Sequence, residues 1–184
     1  MLVIALKHQP HACCLVPERR EERTTEGGLD VAGQRDSLIS VIDALKDSGS
    51  RVSLFIEANV SQLDAARELG ADIVELHTGR YCELVLEGAG AAADVELTKL
   101  RHGAIYAAEL GLEVHAGHGL TYNTVKAFAA IPEVVELNIG HFLIGEGIFI
   151  GLDRAVSQMR AMMADARGGI VAAASVEQRP GGAQ

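Results

Sequence analysis

The sequence predicts an α/β fold with a parallel sheet, and three observations carry that expectation. Five short apolar runs alternate with stretches whose apolar residues recur every three or four positions. Glycine closes most of those stretches, at Gly49, Gly70 and Gly111. Polar residues gather at the ends of the apolar runs rather than inside them. The chain has 184 residues, 48% hydrophobic and 22% charged, which suits one globular domain with a real core. Aromatics make up only 4% and tryptophan is absent, so the interior must be built from Ala, Gly, Leu and Val, as packed βα layers are.

Met1 to Lys7 reads as the tail of a helix, and Ala12 to Val16, ended by Pro17, as the first strand. Glu18 to Gly33 is too polar and glycine-rich for a packed element and is expected to form a loop above the sheet. Asp36 to Lys46 places Leu38, Ile39, Ile42 and Leu45 on one helical face. Val52 to Ile56 is the second strand, Leu63 to Leu69 a helix, and Ile73 to Leu76 the third strand. A helix follows over Asp94 to Leu110, then a strand over Leu112 to His115, a helix over Thr124 to Ala130 and a strand over Val134 to Ile139. His141 to Ile150 leads to a last amphipathic helix near Arg154 to Ala166. The organisation expected is one domain over 1–168 and a flexible tail over 169–184.

Apolar strands of this kind are expected to be covered on both faces, in a barrel or a doubly wound sheet alike. The polar residues favour the barrel. Glu18, Glu57 with Asn59, Glu75 with His77, His115 with His118, and Asn138 with His141 fall at or just past C-terminal strand ends. A (β/α)8 TIM barrel brings such ends to one rim, where its active sites form. Five strands are too few to close it, so the fold expected is an incomplete barrel holding about the last five βα units.

The formal charge of −9 speaks against a sequence-independent grip on nucleic acid but leaves room for small phosphorylated ligands. No apolar run approaches a membrane span, and the first residues lack a signal-peptide pattern. Three cysteines, Cys13, Cys14 and Cys82, read as reduced thiols. The expected location is the cytoplasm, with neither nucleic acid nor membrane as partner.

His118 follows the fourth strand between two glycines, which lets backbone and ligand approach and leaves the imidazole at the rim. A ring merely bonded to a neighbouring carbonyl is the plain alternative; four other polar strand ends favour proton transfer. Glu75 lies in an apolar strand and needs compensation. It is either an internal ion pair or a carboxylate that stabilises developing positive charge. Glu57 shares the ambiguity and leans to a structural role. Gly140 and His141 open a helical segment and could hold an anion or form a simple turn. Thr24 to Gly28 could cap a helix or cover the site as a lid, and the length of its loop favours the lid. Convergence of His77, His115, His118 and His141 on a metal is disfavoured, because His115 and His118 lack the helical spacing of a zinc motif.

Several runs together resemble one family. They are Cys-Leu-Val-Pro-Glu (14–18), Thr-Thr-Glu-Gly-Gly-Leu-Asp-Val (24–31), Val-Ser-Leu-Phe-Ile (52–56), Glu-Leu-His-Thr-Gly (75–79), Ala-Gly-His-Gly-Leu-Thr-Tyr (116–122) and Glu-Leu-Asn-Ile-Gly-His (136–141). Their order and spacing resemble the pyridoxine 5'-phosphate synthases from about Met1 to Gly168. The resemblance implies a (β/α)8 barrel without metal or organic cofactor that condenses 1-deoxy-D-xylulose 5-phosphate with 3-amino-2-oxopropyl phosphate. Pyridoxine 5'-phosphate, phosphate and water are the products it implies. It further implies His118 as proton donor and Glu75 as the carboxylate stabilising the transition state. By the same resemblance Thr24 contacts the deoxyxylulose phosphate, and His118, Gly140 and His141 contact the aminoketone phosphate. Family members are homo-octamers built from dimers, so a homo-oligomer is expected.

The resemblance also has departures. The family's first three strands, which carry an asparagine, an Asp-His pair, two histidines flanking an arginine, and a glutamate, have no counterpart here. Two of those residues are proton-accepting bases, so the chain alone is expected to be inactive. The stretch between Tyr81 and Asp94 looks longer than in relatives and is expected to be a non-catalytic loop. The alternative function is a non-catalytic α/β phosphate-binding protein; a metal-dependent hydrolase is a weaker third.

Overall fold

The computed structural model describes residues 1–18, 24 and 27–177. Helix α1 (Leu2–His8) leads into strand β1 (Ala12–Leu15). Then come α2 (Arg35–Asp47), β2 (Arg51–Ile56), α3 (Val60–Glu68) and β3 (Ile73–His77). Two helices, α4 (Gly79–Leu86) and α5 (Gly90–Glu109), precede β4 (Glu113–Gly117). The rest is α6 (Val125–Ala129), β5 (Val134–Asn138), α7 (His141–Ile150) and α8 (Leu152–Glu177).

The strands pair in parallel in the order β1-β2-β3-β4-β5. A doubly wound sheet needs a point where strand order reverses, and none occurs here among the described residues. Unbroken sequential order is instead the arrangement of a (β/α)8 barrel, of which this sheet forms an open arc.

The two faces of the sheet differ. Val52, Leu54, Ile56, Val74, Leu76, Val114 and Ala116 point outward and are buried against helices that contribute Ile42, Leu45, Leu63, Leu100, Ala104 and Ala107. Burying each large aliphatic side chain stabilises the fold by roughly 2 kcal/mol. Close packing matters as much as area here. A Cβ on Gly103 of α5 would come within 2.6 Å of the Ala58 Cβ just past β2, so only glycine lets that helix lie so near the sheet. The inner face, by contrast, carries the polar Cys14, Glu75, His77, His115, Glu136 and Asn138 beside the buried Ser53, Phe55 and Ile73. The expectation of cover on both faces is therefore corrected in part: helices pack the outer face, while the inner face buries Phe55, Ile73 and His115 and leaves Cys14, Glu136 and Asn138 exposed.

Other expectations shift at the level of elements. Tyr81 to Asp94 is not a loop: α4 runs to Leu86 and α5 starts at Gly90, with Tyr81, Leu84 and Ala93 buried. The Glu18 to Gly33 stretch is packed at its end. There Leu29 and Val31 are buried, and the Leu29 N–H donates to Phe55 O at 2.8 Å. Gly28 is pressed against β2, where a Cβ would lie 2.8 Å from the Glu57 nitrogen. Helix α3 starts three residues earlier than its apolar pattern suggests, because Asn59 caps it by accepting from Gln62 N. Helix α8 continues to Glu177, past Gly168.

Candidate active site

Side chains of β2 and β3 and the turns after β4 and β5 build the site. After β4 the chain turns through Gly117, His118 and Gly119, and His118 takes φ +80°, a left-handed conformation that costs a side-chain-bearing residue energy. Thr78 holds that turn from β3's side. Its N–H donates to Gly117 O at 2.9 Å, and its fully buried hydroxyl lies 2.8 Å from Gly117 O and 2.6 Å from His118 O. The exposed imidazole of His118 rests against His77, ring centroids 5.0 Å apart, and both rings meet Phe55. Gly79 makes room for the pair, since a Cβ there would come 2.9 Å from His118 Cδ2 and His77 Nε2.

Glu75 stands in β3, opposite Phe55 on one side and His115 on the other. Its Oε2 accepts from Asn138 Nδ2 at 3.0 Å and from the Cys14 thiol at 3.7 Å. Burial pushes the Glu75 carboxyl above its ordinary range; the Cys14 bond and the nearby His115 work against that, and Glu136 adds to it. Cys14 is exposed on edge strand β1, but its sulfur is turned to Glu75 and the thiol is pushed up to about 12, by loss of water around it and then by Glu75, so it stays a neutral donor.

From β5 the chain passes through Asn138, Ile139 and Gly140 into α7, capped by Gly140. The first helical bond runs from Ile144 N to Gly140 O, which leaves the N–H groups at the start of α7 without intrahelical partners. Tyr122 packs edge-on against Phe142, centroids 4.7 Å apart, and its hydroxyl donates to Ala155 O at 3.1 Å. The β4 loop and the start of α7 thus stand as two walls, with a pocket of about 360 Å³ between them.

A larger cleft of about 770 Å³ joins these parts: Phe55, Glu75, His77, His118, Asn138, Gly140 and His141 all line it. Of the residues the sequence singled out, Glu75, His118, Gly140 and His141 are therefore brought together. Thr24 stands one step outside. Its hydroxyl bonds the buried Glu57 carboxylate, its N–H donates to Gly28 O at 2.8 Å, and nearby Gly27 lines the cleft beside His77. Thr25 and Glu26 of the expected lid lie outside the described residues. Glu57, whose pattern leans towards a structural role, is buried just past β2 with the Thr24 hydroxyl bonded to it.

His115 is corrected: it sits in the middle of β4, not at the rim. Its Nε2 lies 2.9 Å from Glu113 Oε1 and its Nδ1 3.4 Å from Glu136, and Glu113 in turn accepts two bonds from Arg51. Asn59 is a helix cap, and Glu18 is exposed. Among the described residues no three His, Cys, Asp or Glu side chains group as metal ligands. Sequence reasoning missed Thr78, Phe55 and Cys14 as parts of the site, since a buried threonine, a strand phenylalanine and a strand cysteine carry no pattern of their own. Gly79 was recognisable only as part of a longer motif.

Comparison with known proteins bears on what this cleft is. The family described as "Pyridoxal phosphate biosynthesis protein PdxJ" matches residues 1–165. A pyridoxine 5'-phosphate synthase of Xanthobacter autotrophicus is 61% identical over 170 residues, 92% of this chain and 66% of its own length. The corresponding protein of Jannaschia sp. is 62% identical over 167 residues, 91% of this chain and 67% of its own. That of Rhodospirillum rubrum is 59% identical over 173 residues, 94% and 68% respectively. The chain spans about two thirds of the length of these relatives. Matches of this extent cover every strand that contributes to the cleft, and the chain belongs to the PdxJ family of pyridoxal phosphate biosynthesis proteins.

Proposed function

We propose that the chain carries the acid and anion-binding part of a pyridoxine 5'-phosphate synthase site. The reaction is condensation of 1-deoxy-D-xylulose 5-phosphate with 3-amino-2-oxopropyl phosphate to pyridoxine 5'-phosphate, phosphate and water, a transferase activity. The observation that carries this reading is one cleft lined by Glu75 from the middle of β3, His118 from just past β4, and Gly140 and His141 from just past β5. Its chemistry suits two anionic reactants that must form a carbon–nitrogen bond and lose water. The N–H groups at the start of α7, which have no intrahelical partner, suit one phosphate with His141 beside them. His118 is an exposed imidazole that can give a proton to a leaving oxygen. The Glu75 carboxyl, half-buried where solvent screens little, stabilises positive charge that develops as the amine attacks. Thr24, tied to Glu57, meets the other phosphate on this reading.

The relatives' names and the small phosphorylated substrates they imply fit a cytoplasmic homo-oligomer acting on diffusible metabolites. The proton-accepting bases that the resemblance leads one to expect have no counterpart among residues 1–184. Incubating the chain with both substrates should therefore yield no pyridoxine 5'-phosphate by fluorescence-detected chromatography, and product formation would contradict that. Isothermal titration with inorganic phosphate and with each substrate should still detect binding, weakened about tenfold by His141→Ala, the loss of one charge-assisted bond. A chain that binds none of the three does not carry the proposed site.

A further inference from the structure

Among the described residues, the hydrogen bonds to the Glu75 carboxylate fall on one oxygen. Oε2 receives Asn138 Nδ2 from β5 at 3.0 Å and the Cys14 thiol from β1 at 3.7 Å. These donors sit two strands away on either side of β3, and in parallel barrels side chains from alternate strands share a layer. The intervening residues on the inner face are small, Ser53 on β2 and Gly117 on β4, which lets the layer close. Gly117 has a second role. A Cβ there would lie 2.2 Å from Glu75 Oε1, so the carboxylate takes this orientation only because residue 117 has no side chain.

We propose that Cys14 and Asn138 are positioning residues that clamp Oε2 of Glu75 and leave Oε1, seated over Gly117, as the oxygen available to the reacting charge. The proposal rests on the reading of Glu75 as the synthase carboxylate and assigns each oxygen its task. A carboxylate fixed by two donors cannot rotate away when positive charge develops, so its stabilisation needs no reorganisation at the moment of reaction. Both donors also favour the ionised form against burial. The other groups facing Glu75 are His115 on β4, which favours ionisation, and Glu136 on β5, which opposes it; Phe55 on β2 is apolar.

The test is a carboxyl titration of the whole chain labelled with ¹³C-glutamate, the Glu75 resonance being assigned by its loss in Glu75→Gln. Asn138→Leu should raise the Glu75 midpoint by about one pH unit and Cys14→Ala by about half a unit, as expected for removal of one donor to a carboxylate. Cys14→Ser, which keeps a donor, should return the midpoint to the parent value or below. Where Asn138→Leu loses its circular-dichroism melt, the two Cys14 variants decide alone. Unmoved midpoints, or equal shifts in Cys14→Ala and Cys14→Ser, overturn the clamp. Midpoints that move as stated in a chain that binds neither substrate keep the clamp and overturn the synthase reading; binding with unmoved midpoints does the reverse.

Discussion

His118 combines the two demands on this site at one residue. Its φ of +80° aims the imidazole at the cleft, and the cost of that conformation is offset by Thr78, which grips the carbonyls of Gly117 and His118. The side chain and the backbone can be separated by experiment. His118→Ala keeps the left-handed residue without its ring, whereas His118→Gly removes ring and strain together. We expect His118→Gly to be more stable than His118→Ala by about 1 kcal/mol, or about 3 °C in melting temperature, although both lose the imidazole. Equal stabilities in a thermal melt would mean that the turn is not strained. The same logic explains why Gly79 is needed nearby: it stores no strain of its own but gives both imidazoles the room they occupy.

At the scale of elements, the N-terminal ends of the strands are tied by charge where the C-terminal ends are shaped for ligand. Asp72, just before β3, accepts from Val52 N at 2.9 Å and pairs with Lys46 of α2 at 2.9 Å. Burial would raise its carboxyl, but the Val52 N–H and the Lys46 ammonium outweigh that and hold it below the usual aspartate range. A depressed carboxyl contributes stability above its unfolded pKa, and the contribution is lost as pH falls through the folded value. Asp72→Asn should therefore cost roughly 1 kcal/mol at pH 7, a cost that shrinks towards zero in acid, read from urea melts at a series of pH values. A cost that stays constant with pH would remove the charge from the explanation.

The same elements show what a linear pattern can carry. Each strand was legible because its outward residues, such as Val52, Leu54 and Ile56, form apolar runs bounded by breakers. Helix α4 was not legible: Gly79 begins it, and only Tyr81 and the side chains near Leu84 face the core over its two turns. Glu75 could be picked out because an acid inside an apolar strand is costly unless used, and His118, Gly140 and His141 because they follow strand ends. The Cys14 and Asn138 contacts to Glu75 could not, since they span 61 and 63 residues and depend on the curvature that brings β1 and β5 over β3.

For the molecule as a whole, the uneven cover of its surface is the dominant physical fact. Helix α7 is apolar nearly all round yet has no buried residue; Ile144, Ile148 and Phe149 are 61%, 79% and 84% exposed. Val135 on edge strand β5 and Val16 past edge strand β1 are more than half exposed as well. A sheet whose outer strands β1 and β5 have no further strand beside them among the described residues gains free energy by self-association, through both strand pairing and burial of apolar area. The net charge of −9 opposes this only weakly once salt screens it. Light scattering on the chain should therefore give a mass that rises above 19.4 kDa with concentration. Replacing Ile148→Lys and Phe149→Glu together leaves the net charge unchanged, so any return towards monomer in that variant reports lost apolar contact rather than added repulsion. A parent chain that stays monomeric over a roughly hundredfold concentration range would mean that α7 is content in water, against the usual limit on exposed apolar patches.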